Sequence, residues 1–217
     1  RFGKENIEHH AESVHREDLD VPESIISGLA ELGCFGLSIP ERYGGTATGT
    51  TLDNYGMVIA TEELSRASLS IGGSLITRPE ILARAIENGG TDDQKQRLLP
   101  LIASGESMSA VAVTEPDFGS DVAGITTNAR RLPNGDWEIN GVKTWCTFAG
   151  RADLLMVLAR TNPDTSVGHR GLSIFVVEKD RAKGHSFTFR QDHGGKLEGR
   201  AIPVSYTHLT LPTTPVV

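Results

Sequence analysis

Apolar and polar residues follow two different periods along this chain, and the change between them separates two parts. Up to about residue 105, apolar residues recur at the three- and four-residue intervals of helices that pack one face against a core. After Ser107, short apolar runs and alternation take over, which is typical of β-strands. We therefore predict an α+β protein, with an all-helical domain over residues 1–108 and a small antiparallel β-barrel domain over residues 109–203.

Start and stop signals divide the first part into separate helices. The first has Asp20, Pro22 and Glu23 at its predicted start and Gly33 at its end. Its expected core face consists of Ile25, Ile26, Leu29 and Leu32. The later helices are predicted to start at Thr50 or Thr51, at Pro79, and at Thr91, where Gln94 completes a capping box.

The second part reads as a meander of strands. Residues 127–132 and 137–140 flank a turn at 133–136, and Asn140-Gly141 is predicted to form a second tight turn into a strand over 142–147. The continuous apolar runs 154–159 and 172–177 are predicted to be buried on both faces, whereas 185–189 alternates as a half-exposed strand. Residues 204–217 are rich in Thr and Pro and carry no charge, so we predict a non-native tail there.

Charge and composition narrow the classes of function. A formal net charge of -7 without a long basic run argues against nucleic acid as a partner. No apolar stretch approaches the length of a membrane span, so we expect a soluble protein without one. The first residues lack the apolar core of a secretion signal, and the absence of a first Met suggests that the true start lies upstream.

The two cysteines and seven histidines suggest neither a disulfide framework nor a zinc site. We expect a reducing compartment, either the cytoplasm or, in a eukaryote, the mitochondrial matrix. No metal is predicted.

Residues 111–121, with the sequence VAVTEPDFGSD, combine a short apolar strand with a loop that carries hydroxyl groups. Thr114 and Ser120 offer side-chain hydrogen bonds, and Gly119 lets a ligand approach the main chain. The alternative is an ordinary turn after a strand, which taken alone is the commoner structure. The loop therefore points to a ligand only if a second feature supports it.

Residues 140–147, with the sequence NGVKTWCT, supply that second feature. Strand alternation would put Trp145 and Thr147 on one side, where an indole can cover a planar ring and a hydroxyl can bond its edge. The alternative is a tryptophan that packs in the core of the sheet.

The two segments, in this order and after a helical half, resemble the flavin-contacting segments of the acyl-CoA dehydrogenase family. The resemblance covers residues 1 to about 203 and includes the stretches 29–45 and 90–106. It implies FAD as cofactor, with contacts from Val111, Val113, Thr114, Gly119, Ser120, Trp145, Cys146 and Thr147. Ser120 would also lie near the acyl thioester, Thr147 near the flavin N5, and Thr161 would contact CoA.

The activity that the resemblance implies is α,β-dehydrogenation of an acyl-CoA to the trans-2-enoyl-CoA, with hydride transfer to flavin N5. The catalytic base in this family is a Glu of a C-terminal helical domain that these residues do not include, so we assign no catalytic residue here, and Glu115 is not chosen. The resemblance further implies an electron-transfer flavoprotein as acceptor and a homotetramer for the full-length protein.

Three alternatives stay open: an acyl-CoA oxidase, a flavin monooxygenase of the same fold, and a truncated module that binds flavin or CoA without catalysis. The length and branching of the acyl group are also open. Overall similarity favours a short or branched acyl group, which includes a methylsuccinyl-type thioester.

Overall fold

Helices make up the regular structure of the first half of the chain, and strands make up that of the second. The computed structural model describes residues 1–17, 19–49, 52–149, 151–179, 188–191, 207–211 and 215–216, with the backbone alone for 52, 53 and everything beyond 179. Residues 1–109 form one compact unit, and the described residues from 110 onward form a second. The predicted order, a helical domain followed by a largely antiparallel sheet domain, is confirmed.

Five α-helices lie in the described part of the helical unit. They are α1 (Glu8–Arg16), α2 (Glu23–Glu31), α3 (Leu52–Ala67), α4 (Ser74–Gly89) and α5 (Asp92–Ala103). In α2 the predicted face is buried except for Leu32, which lies at the helix end and is 58% exposed. Gly33 follows with a φ of 71°, a left-handed conformation that ends the helix as expected.

The capping box before α5 is confirmed, whereas the predicted start of α4 is wrong. The Thr91 hydroxyl accepts from the Gln94 amide, and the Gln94 side chain accepts from the Thr91 amide. Pro79 lies inside α4, which begins five residues earlier at Ser74. The helix extends upstream because Leu75 and Ile76 continue its buried face, and burial outweighs the local signal of a proline.

A π-helical turn, Leu69–Gly73, leads directly into α4. Gly72 and Gly73 are buried there against α3. A Cβ at Gly72 would lie 2.6 Å from the Leu64 carbonyl oxygen, so the close approach of the two segments requires glycine.

The second unit contains an eight-stranded sheet. Its strands are β1 (Ser109–Ala112), β2 (Asn128–Arg131), β3 (Trp137–Lys143), β4 (Leu154–Arg160), β5 (Leu172–Glu178), β6 (Thr188–Gln191), β7 (Thr207–Leu211) and β8 (Pro215–Val216). The order is β1-β4-β2-β3-β7-β6, with β5 on β4 and β8 on β3. The β2–β3 and β4–β5 pairs are antiparallel, whereas β2 meets β4 in parallel at Asn128 and Arg160.

The strand β3 differs from the prediction at two points. It continues through Asn140 and Gly141 without a turn, and it ends at Lys143, so residues 144–147 are not strand. Gly141 is needed for another reason: a Cβ there would lie 2.6 Å from the Thr127 Cα. The turn between β2 and β3 is as predicted, with the Leu132 amide donating to the Asp136 carbonyl.

Burial distinguishes the two long apolar strands. In β4 all residues but Leu158 are buried, as predicted. The prediction for β5 is wrong because most of its residues are only half-buried and Ile174 is 53% exposed. Of the predicted strand 185–189, residues 185–187 lie outside the described part.

Residues 207–211 and 215–216 pair with β3, and 207–211 also pair with β6. That 204–217 is a non-native tail stays a prediction. Among the described residues, no helix is long and apolar enough to cross a membrane.

Candidate functional site

The loop after β1 begins with a tight turn. The Glu115 amide donates to the Phe118 carbonyl at 3.0 Å, and the Phe118 amide donates back to the Glu115 carbonyl at 3.2 Å. Pro116 and Asp117 form the exposed tip. The turn directs Gly119 and Ser120 to the surface while the side chain of Glu115 points into the unit.

The Glu115 carboxylate is buried and fully engaged. It accepts from the Thr126 amide at 2.7 Å, the Thr126 hydroxyl at 2.7 Å, the Thr127 amide at 2.8 Å and the Lys143 ammonium at 2.9 Å. Its side chain is only 3% exposed, and that of Lys143 is 0% exposed. A buried ion pair of this kind is favourable only when further hydrogen bonds support it, and here the carboxylate accepts three besides the one from Lys143.

Lys143 connects the two predicted flavin segments. Its Nζ donates to Glu115 and also to the Val113 carbonyl at 2.8 Å. Beside it, the Thr144 amide donates to the Thr114 carbonyl at 2.9 Å. The segments 113–115 and 143–144 are therefore held together by one ion pair and two hydrogen bonds to backbone oxygens.

These contacts shift the pKa of both partners. Burial alone would raise the pKa of the Glu115 carboxyl, but hydrogen bonds from Thr127, Thr126 and Lys143 outweigh it and lower the pKa to about 2. Burial lowers the pKa of Lys143 despite the attraction of Glu115. A carboxylate with so low a pKa and no spare acceptor is a poor proton acceptor, which agrees with not choosing Glu115 as the base.

Trp145 occupies an unusual backbone conformation. Its φ is 59° and that of Phe148 is 70°, and these are the only non-glycine residues with positive φ in the described part. A tight turn, in which the Thr147 amide donates to the Trp145 carbonyl at 2.9 Å, accompanies it. Bulky residues rarely adopt this conformation, and such strain clusters at functional sites.

The turn separates the side chains of residues 145–147. The Trp145 indole is 43% exposed, Thr147 is half-buried, and Cys146 is fully buried. Burial raises the pKa of the Cys146 thiol to about 12, so it is inert, and any contact with a ligand would be through its backbone. The predicted alternation of Trp145 and Thr147 along a strand is wrong, because the strand has already ended.

Thr161 is held at the end of β4, in a separate set of contacts. Its hydroxyl bonds the Ser173 hydroxyl at 2.8 Å, and its amide donates to the Gly171 carbonyl at 2.9 Å. The neighbouring Arg160 is buried and donates to the carbonyls of Ala123, Ile125 and Gly168. Arg160 therefore ties the loop 121–127 to the loop 164–171.

The residues predicted to contact FAD or CoA differ in burial and in their hydrogen-bond partners. Val111, Val113, Thr114 and Thr147 are half-buried, and Gly119, Ser120 and Trp145 are exposed. The hydrogen bonds bring 113–114 next to 143–144, whereas those of Thr161 go to Gly171 and Ser173. The roles of these residues toward FAD stay predictions.

The exposed groups fit a planar cofactor with a polar edge. A Cβ at Gly119 would meet no atom within 4 Å, so the main chain is open to a ligand there. An exposed indole, exposed and half-exposed hydroxyls, and open backbone are the groups that suit a flavin. The described residues contain no cluster of three or more His, Cys, Asp or Glu that could hold a metal ion.

Sequence reasoning did not find the Glu115–Lys143 ion pair, the buried Arg160, or the strain at Trp145. Glu115 and Lys143 both lie within the two motifs, which is the one signal that could have linked them. Nothing local in the sequence indicates that either charge is buried.

Comparison with known proteins gives a consistent assignment. The family model for the N-terminal domain of acyl-CoA dehydrogenases matches residues 1–106, and the model for the middle domain matches residues 110–210. A (2S)-methylsuccinyl-CoA dehydrogenase from Cereibacter sphaeroides is 44% identical over 180 residues, which are 82% of this chain and 31% of that protein.

Two solved structures are similar over nearly the whole chain. Butyryl-CoA dehydrogenase from Megasphaera elsdenii gives a TM-score of 0.83 at 25% identity, covering 100% of this chain and 54% of that one. A glutaryl-CoA dehydrogenase in complex with glutaryl-CoA gives 0.81 at 31% identity, covering 99% and 52%. The chain thus spans about a third of the curated relative and about half of each structure.

Proposed function

Because this chain belongs to the acyl-CoA dehydrogenase family, we propose that it forms the helical and sheet domains of an FAD-dependent acyl-CoA dehydrogenase. The observation that carries the proposal is the junction of the two flavin segments through Glu115 and Lys143. It fixes exposed hydroxyls and a strained, exposed indole beside open backbone, on a buried frame that the ion pair holds together.

The exposed residues of the two segments would hold the flavin. Thr114 and Ser120 supply hydroxyls, Gly119 lets the main chain approach, and Trp145 covers a ring face with Thr147 at the ring edge. Bound FAD supplies the acceptor for the hydride that leaves the β-carbon of the acyl group. Thr161, oriented by Ser173, is the proposed contact to CoA.

Removal of the proton from the α-carbon requires a base, and the described residues of these two segments do not provide one. Glu115 is held as a carboxylate by four donors, and its pKa of about 2 makes it too weak. We infer that the proton is accepted by a carboxylate outside these 217 residues. That carboxylate would lie in the part of the related proteins that this chain does not cover.

The substrate class that we propose is a short CoA thioester that carries a second carboxylate. The relative at 44% identity is named for methylsuccinyl-CoA, and a structure at 31% identity is a complex with glutaryl-CoA. Both acyl groups end in a carboxylate. An electron-transfer flavoprotein is the proposed acceptor, and a homotetramer is the proposed state of the complete protein.

The test uses the complete protein encoded by the source gene, reconstituted with FAD. Methylsuccinyl-CoA, glutaryl-CoA and butyryl-CoA are supplied in turn, with electron-transfer flavoprotein or with dioxygen as the only acceptor. The expected result is an enoyl-CoA product and acceptor reduction with the flavoprotein. Hydrogen peroxide formation at a comparable rate would instead identify an oxidase, and flavin binding without turnover would identify a binding module.

A further inference from the structure

The guanidinium of Arg160 connects two loops of the sheet unit. Arg160 is the last residue of β4 and is 7% exposed. Its Nη2 donates to the Ala123 carbonyl at 2.5 Å and its Nε to the Ile125 carbonyl at 3.3 Å, while Nη1 reaches the Gly168 carbonyl at 3.5 Å. All three nitrogens therefore contact main-chain oxygens, and the backbone on both sides of the guanidinium is held by one side chain.

The first of these loops, 121–127, follows Ser120 directly. At its far end, the Thr127 amide donates to the Glu115 carboxylate at 2.8 Å. The Thr127 carbonyl accepts from the backbone amide of Arg160, also at 2.8 Å. The loop that continues from Ser120 is thus held by Glu115 on one side and by Arg160 on the other.

The second loop, 164–171, is bonded to Thr161, the residue after Arg160. The Thr161 amide donates to the Gly171 carbonyl at 2.9 Å, and its hydroxyl bonds the Ser173 hydroxyl at 2.8 Å. A Cβ at Gly171 would lie 2.9 Å from the Arg160 Nη1, so the guanidinium packs directly against this backbone. The position of Thr161 therefore depends on Arg160.

The energetic role of a buried guanidinium differs from its geometric role. Replacing a buried charge by a well-packed apolar side chain is often neutral or even stabilising. What Arg160 adds is a planar fork with fixed donor directions, which sets the separation of two loops. Ser120 and Thr161 belong to the same compact unit, and all of these contacts lie within it.

We propose that Arg160 is a positioning residue: it fixes Thr161 relative to Ser120, so that a CoA group held at Thr161 brings the thioester to Ser120. This rests on the proposed function, which assigns Ser120 to the thioester end and Thr161 to CoA. Binding energy from a remote part of a substrate accelerates the reaction only when it orients the reacting centre. Arg160 supplies the rigid connection that this requires.

The test compares two thioesters with the same acyl group. One is methylsuccinyl-CoA, and the other is the methylsuccinyl thioester of N-acetylcysteamine, which lacks the nucleotide and most of the arm of CoA. Both are given to the complete protein encoded by the source gene, loaded with FAD. The readouts are kcat and KM for each thioester, the Tm, and the Kd of the enoyl-CoA product by calorimetry, which does not depend on turnover.

Three variants change the connection and one is a control. Arg160→Met removes the donors, Arg160→Lys keeps the charge without the fork, and Gly171→Ala keeps Arg160 but places a methyl group against it. Leu155→Ala is the control for stability, because Leu155 is fully buried in the same strand and pairs with Val177 of β5. It should lower the Tm and treat both thioesters alike.

In Arg160→Met, we expect kcat/KM for the CoA thioester to fall by about 10- to 100-fold, with a rise in the Kd of the product. The short thioester should stay within about twofold, because Ser120 is still held through Glu115. Arg160→Lys and Gly171→Ala should change the same ratio by less. Combining Arg160→Met with Thr161→Val should cost no more than the larger single loss, since both act through one contact.

Equal losses for the two thioesters in Arg160→Met, as in Leu155→Ala, would overturn the proposal, because Arg160 would then serve stability alone. Losses from Arg160→Met and Thr161→Val that add would also overturn it. If Arg160→Met does not fold, Arg160→Lys and Gly171→Ala decide by the same comparison.

The proposed function and the role of Arg160 fail in different ways. If the unchanged protein oxidises neither thioester, the proposed function fails, and the Kd of the enoyl-CoA product across the variants still decides the role of Arg160. If the unchanged protein is active but its preference for the CoA thioester survives in Arg160→Met, only the role of Arg160 fails. If the unchanged protein does not bind the product either, both fail.

Discussion

At the scale of single residues, the pair Glu115–Lys143 places two opposite charges in the buried interior of the sheet unit. Four donors surround the carboxylate, and the ammonium reaches a carbonyl as well. Removing one partner leaves the other charged and buried, which is far more costly than removing both. The pair therefore affects stability cooperatively.

We predict that Glu115→Gln and Lys143→Met each lower the free energy of unfolding by about 3–5 kcal/mol. The double variant should lose less than the sum of the two by about 1 kcal/mol or more, because the partners interact directly. Urea unfolding of the four proteins measures this. Glu62→Gln, in an exposed ion pair with Arg66, is the control and should change stability by less than about 0.5 kcal/mol. Additive losses would show that the pair is not coupled.

Trp145 gives a second prediction at this scale. Trp145→Gly removes the cost of the positive φ while losing an indole that is 43% exposed, so we expect stability to change by less than about 1 kcal/mol. Affinity for FAD, from the change in flavin fluorescence, should fall by up to about tenfold if the indole covers the ring.

Trp137→Gly is the matched control for Trp145→Gly. Trp137 lies in β3 and packs edge-on against Phe175 with ring centroids 5.3 Å apart. Its loss should cost stability by about 2 kcal/mol or more and leave FAD affinity of the folded fraction unchanged. The assignment of Trp145 to the flavin would be wrong if the two variants affected FAD binding equally.

At the scale of elements, signals that act within a few residues were predicted well. The capping box of Thr91 and Gln94 and the end of α2 at Gly33 depend only on local hydrogen bonds and backbone freedom. The predictions made from Pro79 and from Asn140-Gly141 were wrong because contacts distant in sequence decided the structure at both positions. A proline suits the first turn of a helix and a glycine suits a turn, but tertiary packing decided both positions.

In the candidate site, too, local features could be predicted from the sequence, whereas features that depend on tertiary packing could not. The residue types in the two motifs suggested a ligand-binding loop, and the assignment of that ligand as flavin, which the family resemblance implies, stays a prediction. They gave no sign that Glu115 is buried against Lys143, because a charged residue is by default expected at the surface. They also could not show that β3 ends at Lys143, or that Trp145, two residues later, has a positive φ.

Two glycines in regular elements should respond to substitution in opposite directions. Gly56 lies exposed in α3 with no atom within 4 Å of an added Cβ, so Gly56→Ala should stabilise the protein by about 0.5–1 kcal/mol. Gly141→Ala would force a Cβ against Thr127 across the β2–β3 pair and should destabilise it by about 1–3 kcal/mol. Thermal unfolding of both variants measures this. A neutral Gly141→Ala would mean that the strands separate easily there.

At the scale of the whole molecule, the two units differ in how they depend on pH. In the sheet unit, the folded-state pKa of Glu115 is about 2, below its ordinary value of 4.5. The folded state therefore binds this proton more weakly than the unfolded state. The carboxylate contributes its full stability above pH 4.5, and the contribution is lost as pH falls toward 2. The ion pairs of the helical unit that are described have at least one exposed partner each.

Both tryptophans of the chain lie in the sheet unit, so their fluorescence reports on that unit alone. We predict that acid lowers the urea midpoint seen by tryptophan fluorescence progressively between pH 4.5 and about 2. In Glu115→Gln this part of the pH dependence should disappear, so that the two proteins converge in stability at low pH. A constant difference between them across this range would contradict the assignment of the low pKa to Glu115.

The unequal burial of the two cysteines has a practical consequence for the molecule as a whole. Cys34 is half-buried in the helical unit, while Cys146 is fully buried with a thiol that stays protonated. A thiol-reactive dye added to the folded chain should therefore attach at Cys34. The indoles of Trp137 and Trp145 then become energy donors on one unit and the dye an acceptor on the other. Energy transfer from the indoles to the dye would therefore measure the distance between the two units in solution, without any engineered cysteine or tryptophan.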